Sequence, residues 1–383
     1  MTFALFIIFT LSALGGASYY LARRFYQGLV CFFPRVKFKY ALLSFSILTL
    51  LVILGFARSM LPLGGGVKYV LGIIGNYCMG ILLYLLLFTL LADLILIVPK
   101  LLKLSFTSHR FFKGFVAIGI AAATLVTCVY GFVNARQIDH VAYIVKLEGK
   151  KDVSDLNIVM ISDLHLGAIG SESKLENIVS EINLLNPDVV CIAGDFFDSD
   201  FEAIRDPDSA QKTLQKINST FGVYACLGNH DAGKSHAKMT NFLNKCDIKL
   251  LNEDYVVIDD RLVLVGRLDA SPIGNYDGSS RKELSDFLAV NDAALPVVVM
   301  DHNPAHIDEY DNVTDLILCG HTHQGQLFPA NIITNIIYTV DYGYYQKDEN
   351  SPHVIVSSGV GYWGMPMRVG TDCEIVSVTI TNK

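Results

Sequence analysis

Hydrophobic and polar positions divide this chain near residue 135. Before that point apolar residues run in long blocks at 2–21, 41–57, 69–98 and 115–133. A helix needs about 20 apolar residues to cross a bilayer, so the blocks predict a four-helix transmembrane region over 1–135. The third block is over-long, an excess that helix tilt absorbs. No Lys or Arg precedes the first block, so it lacks the positive start of a cleaved signal peptide.

Beyond 135 the apolar runs shorten and alternate between two periods. A connector over 136–154 holds a first predicted strand at 141–147. Strands follow at 156–162, 188–193, 222–227, 249–251, 255–258, 262–266, 296–300, 316–319, 353–357 and 374–379. Between them, 174–185, 209–217, 235–244 and 281–290 carry helical spacing; Leu175, Ile178, Val179, Ile182 and Leu185 share one face. Alternating strands and helices imply parallel pairing with helices outside. The later short strands call for a second sheet. The predicted fold of 155–383 is therefore α/β, a four-layer α/β/β/α sandwich of two mixed sheets behind an all-α membrane region.

Charge sharpens the division. Residues 1–135 carry eleven Lys or Arg and a single acid, Asp93, whereas 136–383 carry nineteen basic and thirty-six acidic residues. An acidic soluble part argues against nucleic acid as a partner; the bilayer is the partner the first part implies, and nothing indicates an obligate protein partner. Arg23, Arg24, Arg35, Lys37 and Lys39 follow the first block, and Lys100, Lys103, Arg110 and Lys113 follow the third; the loop after the second has only Arg58 and Lys68. Positive loops stay inside. The soluble part is thus expected outside the cytoplasm, on a multi-pass protein of the plasma membrane. Asp93 falls inside the third block, where an acid either has a role or sits solvated near Lys100 at the interface. The eight cysteines form no C-x-x-C pair and no regular framework, which excludes a zinc finger or disulfide scaffold.

Five predicted strands end in polar clusters: Asp163-Leu164-His165, Gly194-Asp195-Phe196-Phe197-Asp198, Gly228-Asn229-His230-Asp231, Asp301-His302-Asn303 and Gly320-His321-Thr322-His323. In α/β sheets, ligands collect beyond the carboxyl ends of strands. Imidazoles and carboxylates without thiolates suit manganese, zinc or iron. The ligand-type residues exceed what one ion needs, and a shared carboxylate resolves the count as two divalent ions. No nucleophile elbow or phosphate loop competes.

In this order the clusters resemble the calcineurin-like metallophosphoesterase superfamily: Asp-x-His, Gly-Asp-x-x-Asp, Gly-Asn-His-Asp, a His, then Gly-His-x-His. The form Gly320–Gln326, with Ser357-Ser358-Gly359 and Pro366-Met367-Arg368, is similar to the membrane-associated bacterial branch, which holds cell-envelope phosphodiesterases and a lipid A precursor pyrophosphatase. The resemblance implies Asp163, His165 and His323 on one ion, Asn229, His302 and His321 on the other, and Asp195 bridging them. It implies in-line attack of a bridging hydroxide on phosphorus, with His230 protonating the leaving oxygen and Asp198 orienting His230. Asp231 and Asp301 are candidates to support these groups. Gln324 stands where that branch more often has Gly, and would narrow the site or add a donor. Arg368 is a candidate phosphate clamp, and Tyr338, Tyr342, Tyr344, Tyr345, Tyr362 and Trp363 a candidate aromatic rim. The expected activity is hydrolysis of a phosphodiester or pyrophosphate, of a small-molecule or lipid-linked ester rather than a phosphoprotein. A non-catalytic membrane sensor or assembly protein on the same domain is the alternative.

Overall fold

The computed structural model describes residues 2–58, 61–109, 111–147, 155–287, 295–310 and 314–381. The chain forms two compact units, Met1–Phe132 and Val133–Lys383.

The first unit is helical: α1 (Thr2–Phe32), α2 (Phe38–Ala57), α3 (Gly65–Ile95), α4 (Ile97–Leu101) and α5, which runs over Phe112–Asn134 into the second unit. Outward side chains such as Leu43, Leu50, Leu90, Leu94 and Val126 are exposed and apolar. Helices apolar all round belong in a membrane or a deep core. Among the described residues three helices are long and apolar enough to cross a bilayer: Phe38–Ala57, Gly66–Pro99 and Phe112–Asn134. α1, expected as a fourth span ending at 21, is not among them. It is a single helix that continues to Phe32. Asp93 is partnered: its carboxylate accepts from the Tyr20 hydroxyl at 2.6 Å and pairs with Arg24.

α2 and α3 meet where neither has a side chain. A Cβ on Gly75 would lie 2.7 Å from the Gly55 Cα and 3.0 Å from the Leu51 carbonyl oxygen. Without a water-driven hydrophobic force, helices in lipid associate by such backbone contact.

The second unit contains two six-stranded sheets. The first has the order β1 (Asp139–Lys146), β12 (Glu374–Thr381), β2 (Leu156–Ile161), β3 (Val189–Ala193), β4 (Val223–Cys226), β5 (Ile248–Leu250). The second has the order β10 (Gly343–Tyr345), β11 (His353–Val356), β9 (Leu316–Cys319), β8 (Val297–Met300), β7 (Leu262–Gly266), β6 (Asp254–Ile258). Both are mixed, as expected: β12 runs antiparallel to β2, and β6 and β10 antiparallel to their neighbours, while the central strands are parallel. The period of two sorts the side chains. Ile158, Met160 and Cys191 point between the sheets and meet Leu264, Val298 and Leu318. Val159, Ile161 and Ile192 point the other way, onto α6 (Ser171–Leu184), α7 (Pro207–Leu214) and α8 (His236–Lys245). Each such aliphatic side chain contributes about 1.5–3 kcal/mol when fully buried. Among the described residues, the outer side of the second sheet is covered by α9 (Leu284–Phe287) and the helical turn Pro304–Glu309 against Val263, Val299 and Ile317. The helix predicted over 281–290 is observed only as α9, and 288–290 lie outside the described residues. α10 (Ala330–Ile337) and β10 were not expected from the sequence.

Gly75→Val should overpack the α2–α3 contact, at about 1–3 kcal/mol, and lower the melting temperature of the detergent-solubilised chain by several degrees. Gly119→Val in α5, where a Cβ meets nothing within 4 Å, should change it far less.

Candidate metal centre

All five clusters begin immediately after a parallel strand: β2, β3, β4, β8 and β9. Three belong to the first sheet and two to the second, so the clusters meet where the two sheets' carboxyl ends face each other. The His302 Nδ1 joins the sheets directly, 2.9 Å from the carbonyl oxygen of Ala193 at the tip of β3. A ligating imidazole is oriented in this way by a carbonyl on its other nitrogen.

The chain must turn sharply to present these groups. Asp163, His165, Asp195, His321, His323 and Gln324 all have φ between 45° and 73°. Left-handed backbone at non-glycine residues costs about 1–3 kcal/mol each and concentrates at functional sites. Two glycines make room. A Cβ on Gly228 would lie 2.2 Å from the Asp195 Oδ1, and one on Gly320 2.3 Å from the Asp163 Oδ2.

Among the described residues, the donor atoms fall into groups that fit cations. Asp163, His165 and His323 form one such group, and Asp195, His302 and His321 another. The His165 and His323 Nε2 atoms face each other at 3.1 Å, and the His323 Nε2 lies 3.4 Å from the Asp163 Oδ1. In the second group, the His302 Nε2 is 3.2 Å from the Asp195 Oδ2, and the His321 Nδ1 is 3.3 Å from the His302 Nε2 and 3.0 Å from the Asn229 Oδ1. Metal–ligand bonds of about 2.1 Å put adjacent donors about 3.0–3.4 Å apart. Asp195 faces both groups, its Oδ2 lying 3.7 Å from the His165 Nε2 as well. Its Oδ1 is occupied by the His230 N–H at 2.8 Å.

The electrostatics also favour a cation. Burial favours a neutral Asp195, yet His302 and His165 hold its carboxyl far below the usual carboxylate range. Burial opposes charge on His302, but Asp195 and Asp163 hold it well above the ordinary value for histidine. Burial and the neighbouring Arg368 push His323 well below it. Buried carboxylates draw positive charge from whatever can supply it.

Three expectations meet corrections. Asp198, expected behind His230, lies with its Oδ1 3.4 Å from the His165 Nδ1. The His230 Nδ1 instead meets the Ser199 hydroxyl at 2.6 Å. Ser199, at φ 63° directly after Asp198, had no signal in the sequence. Arg368, expected to clamp phosphate, is fully buried. Its guanidinium donates to the His323 carbonyl oxygen at 3.0 Å, to the carbonyls of Ser358 and Gly361 at 2.7 Å each, and lies 3.2 Å from the His323 Nδ1. It holds His323, a candidate metal ligand, in place. Of the expected rim, Tyr338 and Trp363 reach the site, with ring centroids 6.2 Å from His321 and His230 respectively. Tyr342 bonds Glu374, Tyr344 lies near Tyr143 and His353, Tyr362 bonds the Ile169 carbonyl, and Tyr345 packs on the second sheet.

Gln324 sits half-buried beside His323 with its N–H on the Thr322 hydroxyl. Asp231 is buried and accepts from the N–H groups of Phe196, Phe197 and Gly228, pinning two ligand loops together; burial pushes its carboxyl up to about 7. Asp301 takes the Arg281 guanidinium and the Tyr310 hydroxyl, both at 2.7 Å.

Arg368→Lys should weaken metal retention about 10–100-fold, measured by chelator competition on the purified chain. A substrate clamp would instead raise KM and leave metal content unchanged.

Comparison with known proteins identifies the family. The calcineurin-like phosphoesterase family profile matches residues 156–325. A transmembrane protein with metallophosphoesterase domain from Danio rerio is 30% identical over 333 residues, 81% of this chain and 74% of its own length. A metallophosphoesterase of Helicobacter pylori is 28% identical over 235 residues, and the match spans 60% of each chain. The solved structure of a dimetal phosphatase from Danio rerio covers 61% of this chain and 100% of its own at 13% identity, with a TM-score of 0.37, too low to add support. By its aligned length and the order of its ligand clusters, the chain belongs to the calcineurin-like metallophosphoesterase family.

Proposed function

We propose that this chain is a membrane-anchored phosphoesterase that hydrolyses a phosphodiester or pyrophosphate bond with two divalent ions. The observation that carries the reading is the convergence of seven ligand-type side chains from both sheets onto facing donor atoms. Asp163, His165 and His323 would hold one ion and Asn229, His302 and His321 the other, with the Asp195 carboxylate facing both groups. Bound there, manganese, zinc or iron supplies Lewis acidity to phosphoryl oxygens and acidifies bound water.

The chain's own part is positioning and proton transfer. His230 stands next to His165, with ring centroids 5.1 Å apart, and is partly exposed. Burial pulls its proton affinity below the ordinary value for histidine, so near neutral pH the ring is largely uncharged. A neutral imidazole carries one N–H, and the Ser199 hydroxyl, able to donate or accept, fixes which nitrogen has it. Neutral, the ring donates a hydrogen bond to the phosphate; once it has taken a second proton from solvent, the imidazolium gives that proton to the leaving oxygen and returns to the neutral ring. Asp198 steadies His165. Gln324, next to His323 in the loop after β9, would add an amide donor for the substrate.

Location supports an envelope substrate. The segments before α2 and after α3 are basic, while the α2–α3 connection holds only Arg58 and Lys68. With the last three helices as spans, this charge pattern favours a catalytic unit outside the plasma membrane, and the status of α1 bears only on where the N-terminus lies.

Purified chain loaded with manganese should hydrolyse bis-p-nitrophenyl phosphate; no turnover by folded, metal-loaded protein would sink the reading. Asp195→Asn should lose metal. His230→Gln should keep its metal by elemental analysis and lose about 10²–10⁴ in kcat. On intact cells, added protease should cut the catalytic unit; full protection would place it inside.

A further inference from the structure

α10 is built inside out. Its polar residues face the protein: the Thr334 hydroxyl donates to the Asp341 Oδ2 at 2.7 Å, and the Asn335 amide donates to the Asp341 Oδ1 at 3.3 Å. Its apolar residues face away. Ile332, Ile333, Ile336 and Ile337 are between 52% and 78% exposed, and no residue of the helix is buried. They fall at i, i+1, i+4 and i+5, a single stripe along the helix. Phe328, just before the helix, is also exposed, and no residue from Gln324 to Val340 carries a charge. A water-facing helix has the reverse polarity. A contiguous apolar surface of this kind marks a place that something apolar covers.

We propose that this stripe lies in the surface layer of the bilayer that the chain's own helices cross, and that the metal centre opens onto that layer. Two observations choose a lipid surface over another protein. First, α5 ends at Asn134 and β1 begins at Asp139, so the catalytic unit follows its membrane helix after four residues, about 14 Å of extended chain. Second, α10 belongs to the region bonded to that point of emergence. The Asn134 amide donates to the Thr371 carbonyl at 3.0 Å and to the Asp372 carboxylate at 2.8 Å. The same loop pairs at Val369 with Leu327 and Phe328, which lead into α10. The helix ends at Tyr338, whose ring contacts His321. From the end of the membrane helix to a metal-ligand histidine, the path runs through α10.

The consequence for substrate class rests on the phosphoesterase reading above; the seating of α10 does not. A site whose rim is sunk in lipid takes a phosphoester that carries a long acyl or alkyl chain and is presented by the membrane. Neutral apolar contact also makes the seating insensitive to salt and to lipid charge.

The sequence contains one tryptophan, Trp363, so Trp363→Phe with Ile336→Trp leaves a single reporter on α10. Reconstituted in phosphatidylcholine vesicles with acyl-brominated lipid, that reporter should be quenched. References in the same Trp363→Phe background are Leu43→Trp on α2 and Val257→Trp on β6. Quenching closer to the Leu43 reference supports the proposal; quenching closer to the Val257 reference overturns it, including where cross-linking shows a second copy on the face. In parallel, Ile332→Glu with Ile336→Glu should lower kcat/KM about tenfold for hexadecyl p-nitrophenyl phosphate in vesicles. It should leave bis-p-nitrophenyl phosphate in solution unchanged. Equal loss on both esters overturns the opening of the site onto lipid. If the reporter on α10 is quenched and neither ester is hydrolysed by any form, the phosphoesterase reading fails and the seating of the helix stands.

Discussion

Two carboxylates pressed against two glycines hold the centre together. Asp195 abuts Gly228 and Asp163 abuts Gly320, and in each pair the partners come from different strand tips. Both contacts leave no space for a methyl group, so the loops approach each other as closely as backbone permits. That approach brings donors from β2, β3 and β4 against donors from β8 and β9. Five of the seven ligand-type residues, Asp163, His165, Asp195, His321 and His323, take left-handed backbone there, at about 1–3 kcal/mol apiece. The two sheets make such strain tolerable because their strands are buried on both faces and cannot relax independently. Asp231 acts in the same sense: three N–H groups on one carboxylate leave the Gly194–Phe197 and Gly228–Asp231 loops no freedom to part.

Much of this was legible in the chain because strand tips have a signature. A run such as Val189–Ala193, apolar on both faces, has no reason to end in Gly194-Asp195 unless the carboxylate is needed there. The same reasoning placed His302 after β8 and His321 and His323 after β9, and the α/β class with two mixed sheets followed from the alternation of periods. What was not legible is partner choice. Asp198 and Ser199 are adjacent, and which of them meets His230 depends on a backbone turn at φ 63° that no residue pattern announces. Arg368 reads as a guanidinium in a loop returning to the site. Its burial under five potential acceptors is set by the fold of Ser358–Gly361 around it. α10 was not anticipated: its isoleucine stripe faces away from the protein, and its polar side meets Asp341.

The membrane unit follows other rules. In water, a glycine inside a helix weakens it; between α2 and α3 it allows two backbones to touch. Likewise the Arg24–Asp93–Tyr20 cluster would be a minor surface feature on a soluble protein. Between apolar helices it satisfies charges that lipid would penalise.

The pairing of β1 with β12 sets an order for how this protein is made. β1 emerges right behind the last membrane helix, yet its neighbour in the sheet is β12, in register from Asp139 with Glu374 to Lys146 with Thr381. More than two hundred residues must leave the ribosome before that strand arrives. Until then the nascent unit keeps an open edge and β2 lacks one flank. Contacts that distant in sequence form slowly, and unpaired edges invite misassociation. Biogenesis therefore ends with a zipper closing beside the membrane, and a chain cut short before β12 would leave the ribosome with that zipper open.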